Sequence, residues 1–531
     1  MKRFFPILFL SLAALSMAQV KFDAARKTAF AEQIIENFYV DKVDSTQLVE
    51  EAIKGMLKTL DPHSQYTNAE ETRELNEPLE GNFSGIGIRF QMNHDTLYVI
   101  ESIVGGPSER VGIQPGDRII SCNDTVLAGQ KLKNSDILKT LRGPKGTVAN
   151  LKVMRKGEPR MLDFKVVRED IPIYSIDATY MVNDSVGFIS ITRFGASTAD
   201  ETVEAIKKLQ RKGMRHLIID LSDNGGGYLR SATDIANMFL RKGDMLVYTE
   251  SPKNGRAEYV AADNGFFQDG RLVVMINQNS ASASEILSGA VQDNDRGVIV
   301  GRRSFGKGLV QRPFPFPDGS MIRLTVSRYY TPAGRCIQKP YSSGDDSDYR
   351  LDMTHRYESG EFSHADSIHF PDSLKCYTLH LKRPVYGGGG IMPDRFVAID
   401  TTMFSPYYRD LVAKGVLNRY SVEYVDANRS TLKKQYRSED DFIDRFEVTP
   451  QMLDSLRNAA ESDSIAFVDE QYTRSLPLIE LNLKGLIGRD LFEQSTYYRV
   501  ANPLNPIYNS AVEVITDPRL YRQYLSPAQD Q

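Results

Sequence analysis

Hydrophobic residues recur at two spacings along the chain, and each change of spacing marks a different kind of structure. Over residues 22–60 they fall at i, i+3 and i+4 intervals, which predicts amphipathic helices. Pro62 ends this stretch, because proline disfavours helical backbone at the residue before it. His63 follows at the turn, where a turn or capping role is expected. We therefore predict a helical N-terminal region over residues 19–80.

The pattern changes to short β-type runs over residues 81–170. Turn signals rich in glycine and proline separate the runs, as at residues 105–107, 114–117 and 142–146. Many short strands with two brief helical stretches predict a small, partly open barrel.

Strands and helices then alternate over residues 171–400, which predicts an α/β layered core. Helices are predicted at residues 198–210, 230–241 and 283–292, between apolar strands. Residues 340–386 are polar and weakly periodic, so we predict a surface insertion there. Residues 401–531 are predicted to form a separate, mainly helical C-terminal region.

Charge and the first residues bear on where the protein works. The net charge of −4 gives no support for a nucleic-acid partner, which would call for a basic face. Residues 1–18 have a basic start, an apolar run and small residues at Ser16 and Ala18, which is the pattern of a secretory signal peptide cleaved after about Ala18. We expect an exported protein of the periplasm or another extracytoplasmic space, with peripheral membrane association only if the signal is retained. The three cysteines are too few for a disulfide framework.

One segment combines a strand end, a serine cluster and a helix start. Residues 277–285 read NQNSASASE and lie between a predicted strand and helix. The first N–H groups of a helix lack internal partners and the helix dipole is positive there, so both stabilise an oxyanion. Serine is also a common N-cap residue, and this segment alone favours a cap. Ser280, Ser282 and Ser284 all remain candidates at this point.

A lysine follows the next predicted strand. Lys307 stands between two glycines in GRRSFGKG, where backbone can crowd around it. A serine nucleophile needs a base, and lysine serves only when burial lowers its pKa. Gln311 lies four residues further on and is placed to orient the amine. A third segment, DLSDNGGG at 220–227, is a glycine turn whose N–H groups suit an oxyanion hole or a phosphate.

Taken in order, these segments resemble the carboxyl-terminal processing (tail-specific) serine peptidases. LDPHSQY at 60–66, TPAGRCIQ at 331–338 and GGGGIMPD at 387–394 extend the resemblance. In that family the serine precedes the lysine by 25 residues, and 307 − 282 = 25, which selects Ser282. The resemblance implies a crotonase-like, ββα-layered peptidase core within a multidomain α+β protein. It also implies Gln311 as the residue that orients Lys307, with no metal and no organic cofactor.

The resemblance assigns two further sets of residues. It places the oxyanion donors at Ala283 and at Gly226 or Gly227. It also implies a PDZ domain over residues 81–170, which would bind a C-terminal carboxylate and add the ligand as an extra strand. The predicted peptide-binding residues are those of the carboxylate loop: Gly85, Ile86, Gly87 and Ile88.

The expected activity is an endopeptidase acting on proteins with exposed, apolar C-terminal tails, with an activating adaptor protein as a further expected partner. Two alternatives stand beside it. One is a catalytically silent PDZ scaffold. The retained Ser282 and Lys307 argue against this alternative. The other is a nucleotide-binding protein, but Gly308 stands where a P-loop needs serine or threonine. His364, Asp366 and His369 are close in sequence but lie in a polar, irregular segment without a zinc motif.

Overall fold

The computed structural model describes residues 24–527 apart from residues 94, 104 and 254. The predicted signal peptide at 1–18 lies outside the described residues. The N-terminal region contains the two predicted helices and then turns into a short strand and a third helix. Its elements are α1 (Ala24–Phe38), α2 (Ser45–Lys58), β1 (Gln65–Thr67) and α3 (Ala69–Glu80). Among the described residues, no helix combines the length and apolar character needed to cross a membrane.

The next region is a small β domain with two short helices, as the sequence predicts. Five of its strands form an open sheet in the order β3-β4-β5-β7-β8, with β6 pairing β5, and β2 pairs β9 at its base. The elements are β2 (Asn82–Gly85), β3 (Ile88–Asn93), β4 (Thr96–Ser102), α4 (Pro107–Arg110), β5 (Arg118–Cys122), β6 (Thr125–Val126), α5 (Asn134–Leu141), β7 (Val148–Met154), β8 (Leu162–Val167) and β9 (Glu169–Pro172).

A mostly parallel sheet forms the centre of the molecule, in the order β10-β11-β12-β15-β16-β21. The residue pattern explains it, since β11, β12, β15 and β16 are buried almost throughout and carry near-continuous apolar runs. The elements are β10 (Ile176–Met181), β11 (Val186–Ile191), α6 (Thr198–Arg211), β12 (His216–Asp220), α7 (Leu229–Asn237), β13 (Met245–Ser251), β14 (Gly255–Val260), β15 (Leu272–Ile276), α8 (Ala283–Asp293), β16 (Val298–Gly301), β17 (Leu309–Pro315) and β18 (Met321–Tyr330).

The central sheet is covered on both faces. On one face, α6, α7 and α8 share a core with the second sheet, whose order is β1-β18-β13-β14 with β17 on β18. Strand β1 therefore carries the N-terminal segment 60–66 to this second sheet, where Tyr66 lies opposite Ile322. The predicted α/β layering is present.

The insertion at 340–386 is more ordered than its sequence indicates. It contains a helix with a buried tyrosine and arginine, two 3-10 turns and a two-stranded ribbon, which the weak periodicity did not predict. The elements are α9 (Ser347–Glu358), the turns Ala365–Ser367 and Asp372–Leu374, β19 (Lys375–Tyr377) and β20 (Pro384–Tyr386), followed by β21 (Arg395–Phe396). The insertion packs through ion pairs rather than through an apolar stripe, which is why a search for hydrophobic periodicity misses it.

The C-terminal region is helical, as predicted, but it is not separate throughout. Its last helices cover the second face of the central sheet, where Tyr508, Ala511 and Val514 pack against strand residues of the core. The expectation of a separate region is therefore wrong for this part. The elements are α10 (Pro406–Ala413), α11 (Val416–Gln435), α12 (Glu439–Arg445), α13 (Pro450–Ser462), α14 (Asp469–Leu491), α15 (Gln494–Ala501), the turn Asn502–Leu504, α16 (Pro506–Thr516) and α17 (Pro518–Tyr524).

Candidate active site

A cavity of about 660 Å³ lies at one edge of the central sheet. Strands β11, β12, β15 and β16 are parallel, so the loops that follow their carboxyl ends meet at this edge. Helix α3 forms a wall through Leu75, Pro78 and Leu79, and the second sheet contributes Gln311 and Arg323. The predicted residues that line the cavity are Ser282, Lys307, Gln311, Gly226 and Gly227. Residues predicted from separate sequence segments are thus gathered in one cavity.

Ser282 differs from its two neighbouring serines in its surroundings. Ser280 Oγ donates a hydrogen bond to the Leu221 carbonyl at 2.7 Å, and Ser284 Oγ donates one to the Asn224 carbonyl at 2.8 Å. Both of these serines are fully buried and hold the glycine turn against the helix start. Ser282 alone of the three lines the cavity. The geometry therefore favours Ser282 as the residue that a substrate can reach.

Ser282 occupies the N-cap of α8 with an unusual backbone. Its φ is +56° and its ψ is −112°, a sparsely populated conformation for a residue with a side chain. The hydroxyl of Tyr329 donates to the Ser282 carbonyl at 3.1 Å and helps to hold this turn. The predicted cap position is thus present, and it presents the serine at the positive end of a buried helix.

Glu285 ties the serine turn to the lysine loop. Its Oε2 accepts hydrogen bonds from the backbone N–H of Ser282 at 2.8 Å and of Lys307 at 2.9 Å. Its Oε1 accepts from the Ser304 hydroxyl at 2.6 Å and from the Gly306 N–H at 2.7 Å. Burial raises the pKa of Glu285, while these four hydrogen bonds favour the ionised form. Sequence reasoning did not single out this residue, although a glutamate three residues after a serine N-cap is a capping-box signal.

Lys307 is half-buried beside the serine turn. Its Nζ donates a hydrogen bond to Gln311 Oε1 at 3.1 Å. Burial lowers the pKa of Lys307, and the positive charge of Arg323 lowers it further, while Glu285 and Asp61 act in the opposite direction. The amine is therefore shifted toward the neutral form that a general base requires.

Gln311 connects the lysine to the N-terminal segment 60–66. Its Nε2 donates to the backbone carbonyl of His63. That carbonyl is held by a tight turn in which Asp61 Oδ1 accepts from the N–H groups of His63 and Ser64. The turn role expected for His63 is therefore present. Its ring is also engaged, because Nε2 lies 2.6 Å from the hydroxyl of Tyr349 in the insertion. Burial lowers the pKa of His63 to about 4, so the ring is neutral at pH 7.

The glycine turn packs directly against the serine. A Cβ on Gly226, whose φ is +101°, would lie 2.8 Å from the Cβ of Ser282 and 2.9 Å from the amide nitrogen of Ala283. A Cβ on Gly227 would lie 2.1 Å from the carbonyl oxygen of Phe194. Neither position can accept a side chain without displacement. The N–H of Gly226 donates to Asn224 Oδ1 at 2.9 Å, so it is already engaged within the turn.

The insertion supports the loop that carries Lys307. Arg356 donates to the backbone carbonyls of Ser304 at 3.1 Å and Arg303 at 2.8 Å. Glu361 pairs with both Arg356 and Arg303, and all three side chains are largely buried. The insertion therefore supports the loop of the candidate site and is not only a surface segment. Its charged composition did not predict this role.

The carboxylate loop of the small β domain lies where β2 passes into β3. Ile86 belongs to the domain core, and its carbonyl accepts a hydrogen bond from Ser108 Oγ at 2.6 Å. Gly87 has a φ of +72°, and its carbonyl accepts from the Ile103 N–H at 3.0 Å. Gly85 ends β2 and Ile88 begins β3, which pairs with β4 on one side. None of these four described residues lines the cavity that holds Ser282.

Four segments of the chain match known protein families. Residues 185–349 match peptidase family S41, residues 84–166 match the PDZ domain, and residues 13–72 match the N-terminal domain of the activating protease CtpB. Residues 407–493 match a family of unknown function. The PDZ and peptidase folds predicted from the sequence are therefore present.

Two similar proteins are named as a serine protease and a carboxy-terminal processing protease. The chain is 36% identical over 319 residues to the carboxy-terminal processing protease CtpB of Bacillus subtilis, covering 60% of this chain and 66% of that protein. It is 35% identical over 315 residues to a probable CtpA-like serine protease of Staphylococcus epidermidis, covering 59% of this chain and 63% of that protein. The matched part thus spans slightly less than two thirds of the length of these relatives. Among solved structures, a photosystem II D1 C-terminal processing protease is 27% identical, with a TM-score of 0.33 over 58% of this chain and 88% of its own.

Proposed function

We propose that this chain, which belongs to the carboxyl-terminal processing serine peptidases with a PDZ domain, is an exported endopeptidase that uses Ser282 as nucleophile and Lys307 as general base. The observation that carries the proposal is the environment of Lys307 and the lowered pKa of its amine. It lines the same cavity as Ser282 and is half-buried there, it donates to Gln311, and desolvation lowers its pKa. A buried lysine without a directly bonded carboxylate is costly to keep charged.

The reaction proceeds by acyl transfer. Ser282 Oγ attacks the substrate carbonyl carbon while the neutral Lys307 amine accepts the hydroxyl proton. The resulting oxyanion is stabilised by the N–H of Ala283 and the N–H of Gly227, since the N–H of Gly226 is engaged by Asn224. Protonated Lys307 then returns its proton to the leaving amine, which breaks the peptide bond and leaves an ester on Ser282. Water, deprotonated by Lys307, attacks that ester; the bond from the acyl carbon to Ser282 Oγ breaks, Lys307 returns the proton to Oγ, and the new carboxyl end is released.

Each supporting residue has a defined task in this scheme. Gln311 keeps the Lys307 amine directed, because its Oε1 accepts from Nζ while its Nε2 is anchored on the His63 carbonyl. Glu285 fixes the distance between the two active loops by accepting from the N–H groups of both Ser282 and Lys307. No metal or organic cofactor takes part in this scheme.

The substrates we propose are proteins with an unstructured, apolar C-terminal tail. The tail would add to the open edge of β3, with its carboxylate at Gly85, Ile86, Gly87 and Ile88. Export follows from the signal pattern at residues 1–18, and N-terminal sequencing of the secreted or periplasmic protein tests it. An activating adaptor protein is proposed as a further partner.

The decisive test of this function is cleavage of an unfolded protein with an apolar C-terminus. Wild type should cut it, whereas Ser282→Ala and Lys307→Ala should not. Ser280→Ala is the matched control for the serine, and its folding should be checked because its hydroxyl has a structural bond. Cleavage by Ser282→Ala would contradict the nucleophile assignment. A substrate identical except for two terminal aspartates tests the tail preference and should be cut more slowly.

A further inference from the structure

The outer face of the PDZ sheet packs against the C-terminal helices. Asn93 at the end of β3 is only 1% exposed, and its Nδ2 donates a hydrogen bond to Glu423 Oε1 of α11 at 2.7 Å. These two residues are 330 positions apart in the chain. The contact is specific because Asn93 is buried, so leaving its amide unpaired would cost free energy, whereas Glu423 itself is exposed.

Opposite charges face each other around this contact. On the PDZ side, Arg118 lies 3.9 Å from Asp426 of α11 and stacks on the ring of Tyr98. Arg89 lies 3.9 Å from Asp490 near the end of α14. Two arginines of the PDZ face thus lie near two aspartates of the helical face, an arrangement that fixes orientation more than it adds affinity.

The centre of the interface is apolar and closely packed. Ile100 of β4 and Val422 and Val425 of α11 line one narrow space between the two domains, and all three are buried. At Gly116 the PDZ backbone approaches so closely that a Cβ would lie 2.4 Å from Asp426 Oδ1. An apolar centre with a charged rim is the anatomy of a recognition surface.

This interface leaves the predicted peptide groove accessible. Within the part of the chain that the structure describes, β3 pairs with β4 alone, so its other edge remains an open strand edge. The contacts to α11 and α14 come instead from side chains that project from the sheet face, as at Arg89 and Asn93. A strand can therefore be added to β3 while the sheet face stays docked.

We propose that the helices of residues 407–493, the segment that matches a family of unknown function, form a docking platform that holds the PDZ domain of the same chain by its outer sheet face. The platform sets where the peptide groove stands relative to the rest of the protein. The inference goes beyond the proposed function and stands whether or not Ser282 is the nucleophile.

The test uses hydrogen–deuterium exchange of the full-length mature protein, carried on Ser282→Ala so that self-cleavage plays no part. Asn93→Asp keeps the shape of the side chain but brings a second carboxylate against Glu423. Like charges in direct contact disfavour an interface, so exchange in β3 and α11 should rise by about tenfold or more. Asn134→Asp makes the same chemical change on an exposed residue of α5 and should leave both segments protected.

A compensating change distinguishes loss of the interface contact from a folding defect caused by Asn93→Asp. Glu423→Gln supplies an amide donor to the new aspartate, so the double variant should regain the protection of wild type. A defect confined to the PDZ domain would not be repaired from α11. The proposal is overturned if Asn93→Asp exchanges like the control, if Glu423→Gln gives no rescue, or if protection falls on dilution, which would assign the contact to a second copy.

Discussion

The hydroxyl of Tyr349 lies 2.6 Å from Nε2 of His63, although the two residues are 286 positions apart. The contact begins a series of hydrogen bonds that ends at Lys307, the proposed general base. The His63 carbonyl accepts from Gln311, and Gln311 accepts from Lys307 Nζ. The insertion, the N-terminal segment and the peptidase core therefore converge on the orientation of one amine.

Removal of the Tyr349 hydroxyl tests this series of hydrogen bonds. Tyr349→Phe leaves the half-buried His63 nitrogen without its partner, a loss of about 1 kcal/mol or more. Since the effect reaches the reaction through Gln311 and Lys307, we expect kcat to fall about five- to tenfold with little change in KM. Steady-state kinetics and the pH dependence of kcat are the measurements. Tyr341 is a neighbouring tyrosine of the insertion, and Tyr341→Phe is the control, which should behave like wild type. An equal loss of kcat in both variants would refute a role for this series of hydrogen bonds.

Glu285→Gln should separate the serine turn from the lysine loop. The carboxylate accepts from four donors, and an amide NH₂ facing any of them would leave N–H groups opposed inside a fully buried site. We expect kcat to fall by about a hundredfold or more and the free energy of unfolding to fall by about 1–3 kcal/mol. Ser304→Ala removes one donor only and should lose less of both. Activity of Glu285→Gln near that of wild type would show that the link has no role in catalysis.

Arg323→Gln should move the pH dependence of activity. The Lys307 amine must be neutral to accept a proton, so kcat/KM rises as pH increases through the pKa of Lys307. The charge of Arg323 lowers that pKa, and its removal raises it, so the acid limb of the profile should shift to higher pH. Arg193→Gln changes another arginine that lines the cavity and is the matched comparison, with a smaller shift expected. A limb that stays in place or moves to lower pH would contradict the assignment of Lys307 as the base.

Two adjacent glycines make a matched pair for the oxyanion turn. A Cβ on Gly226 would press on Ser282 and Ala283, whereas a Cβ on Gly225 meets nothing within 4 Å and its backbone is not left-handed. Gly226→Ala should therefore lower kcat by about a hundredfold or more, with secondary structure retained by circular dichroism. Gly225→Ala should retain most of the activity. The same loss of kcat in both variants would mean that the turn tolerates no substitution. It would contradict the claim that Gly226 is needed specifically for its close packing against Ser282.

The sequence predicted those parts of the site that local rules govern. Ser282 and Lys307 each follow a predicted strand, and parallel strands bring such positions to one edge of the sheet. The family resemblance, not a local rule, selected Ser282 among three serines and gave Gln311 its role; Gln311 lies in β17 of the second sheet. Glu285 was missed although its spacing from Ser282 carried a capping-box signal. The parts that remained beyond sequence analysis depend on distant contacts. Tyr349, Arg356 and Arg323 act from segments whose periodicity says nothing about the cavity they face.

The contacts between domains were likewise beyond prediction from the sequence, although the elements within each domain were not. Helical periodicity predicted the elements of the C-terminal region, yet not that Tyr508 and Ala511 would cover the central sheet. The strands of the PDZ domain were predicted from alternation and turns, but the contact of Asn93 with Glu423 joins positions 330 residues apart. Pairing between separate amphipathic faces is a tertiary property, and one chain without aligned relatives does not specify it.

Trapping the acyl-enzyme is the most direct test of the central claim that Ser282 attacks and Lys307 activates it. The protein is mixed with an unfolded, apolar-tailed substrate, quenched in acid within the first turnover and digested for mass spectrometry. The account predicts an ester-linked substrate fragment on Ser282 in wild type and none in Lys307→Ala or Ser282→Ala. A fragment on another residue, or an ester on Ser282 that forms as fast in Lys307→Ala, would contradict it.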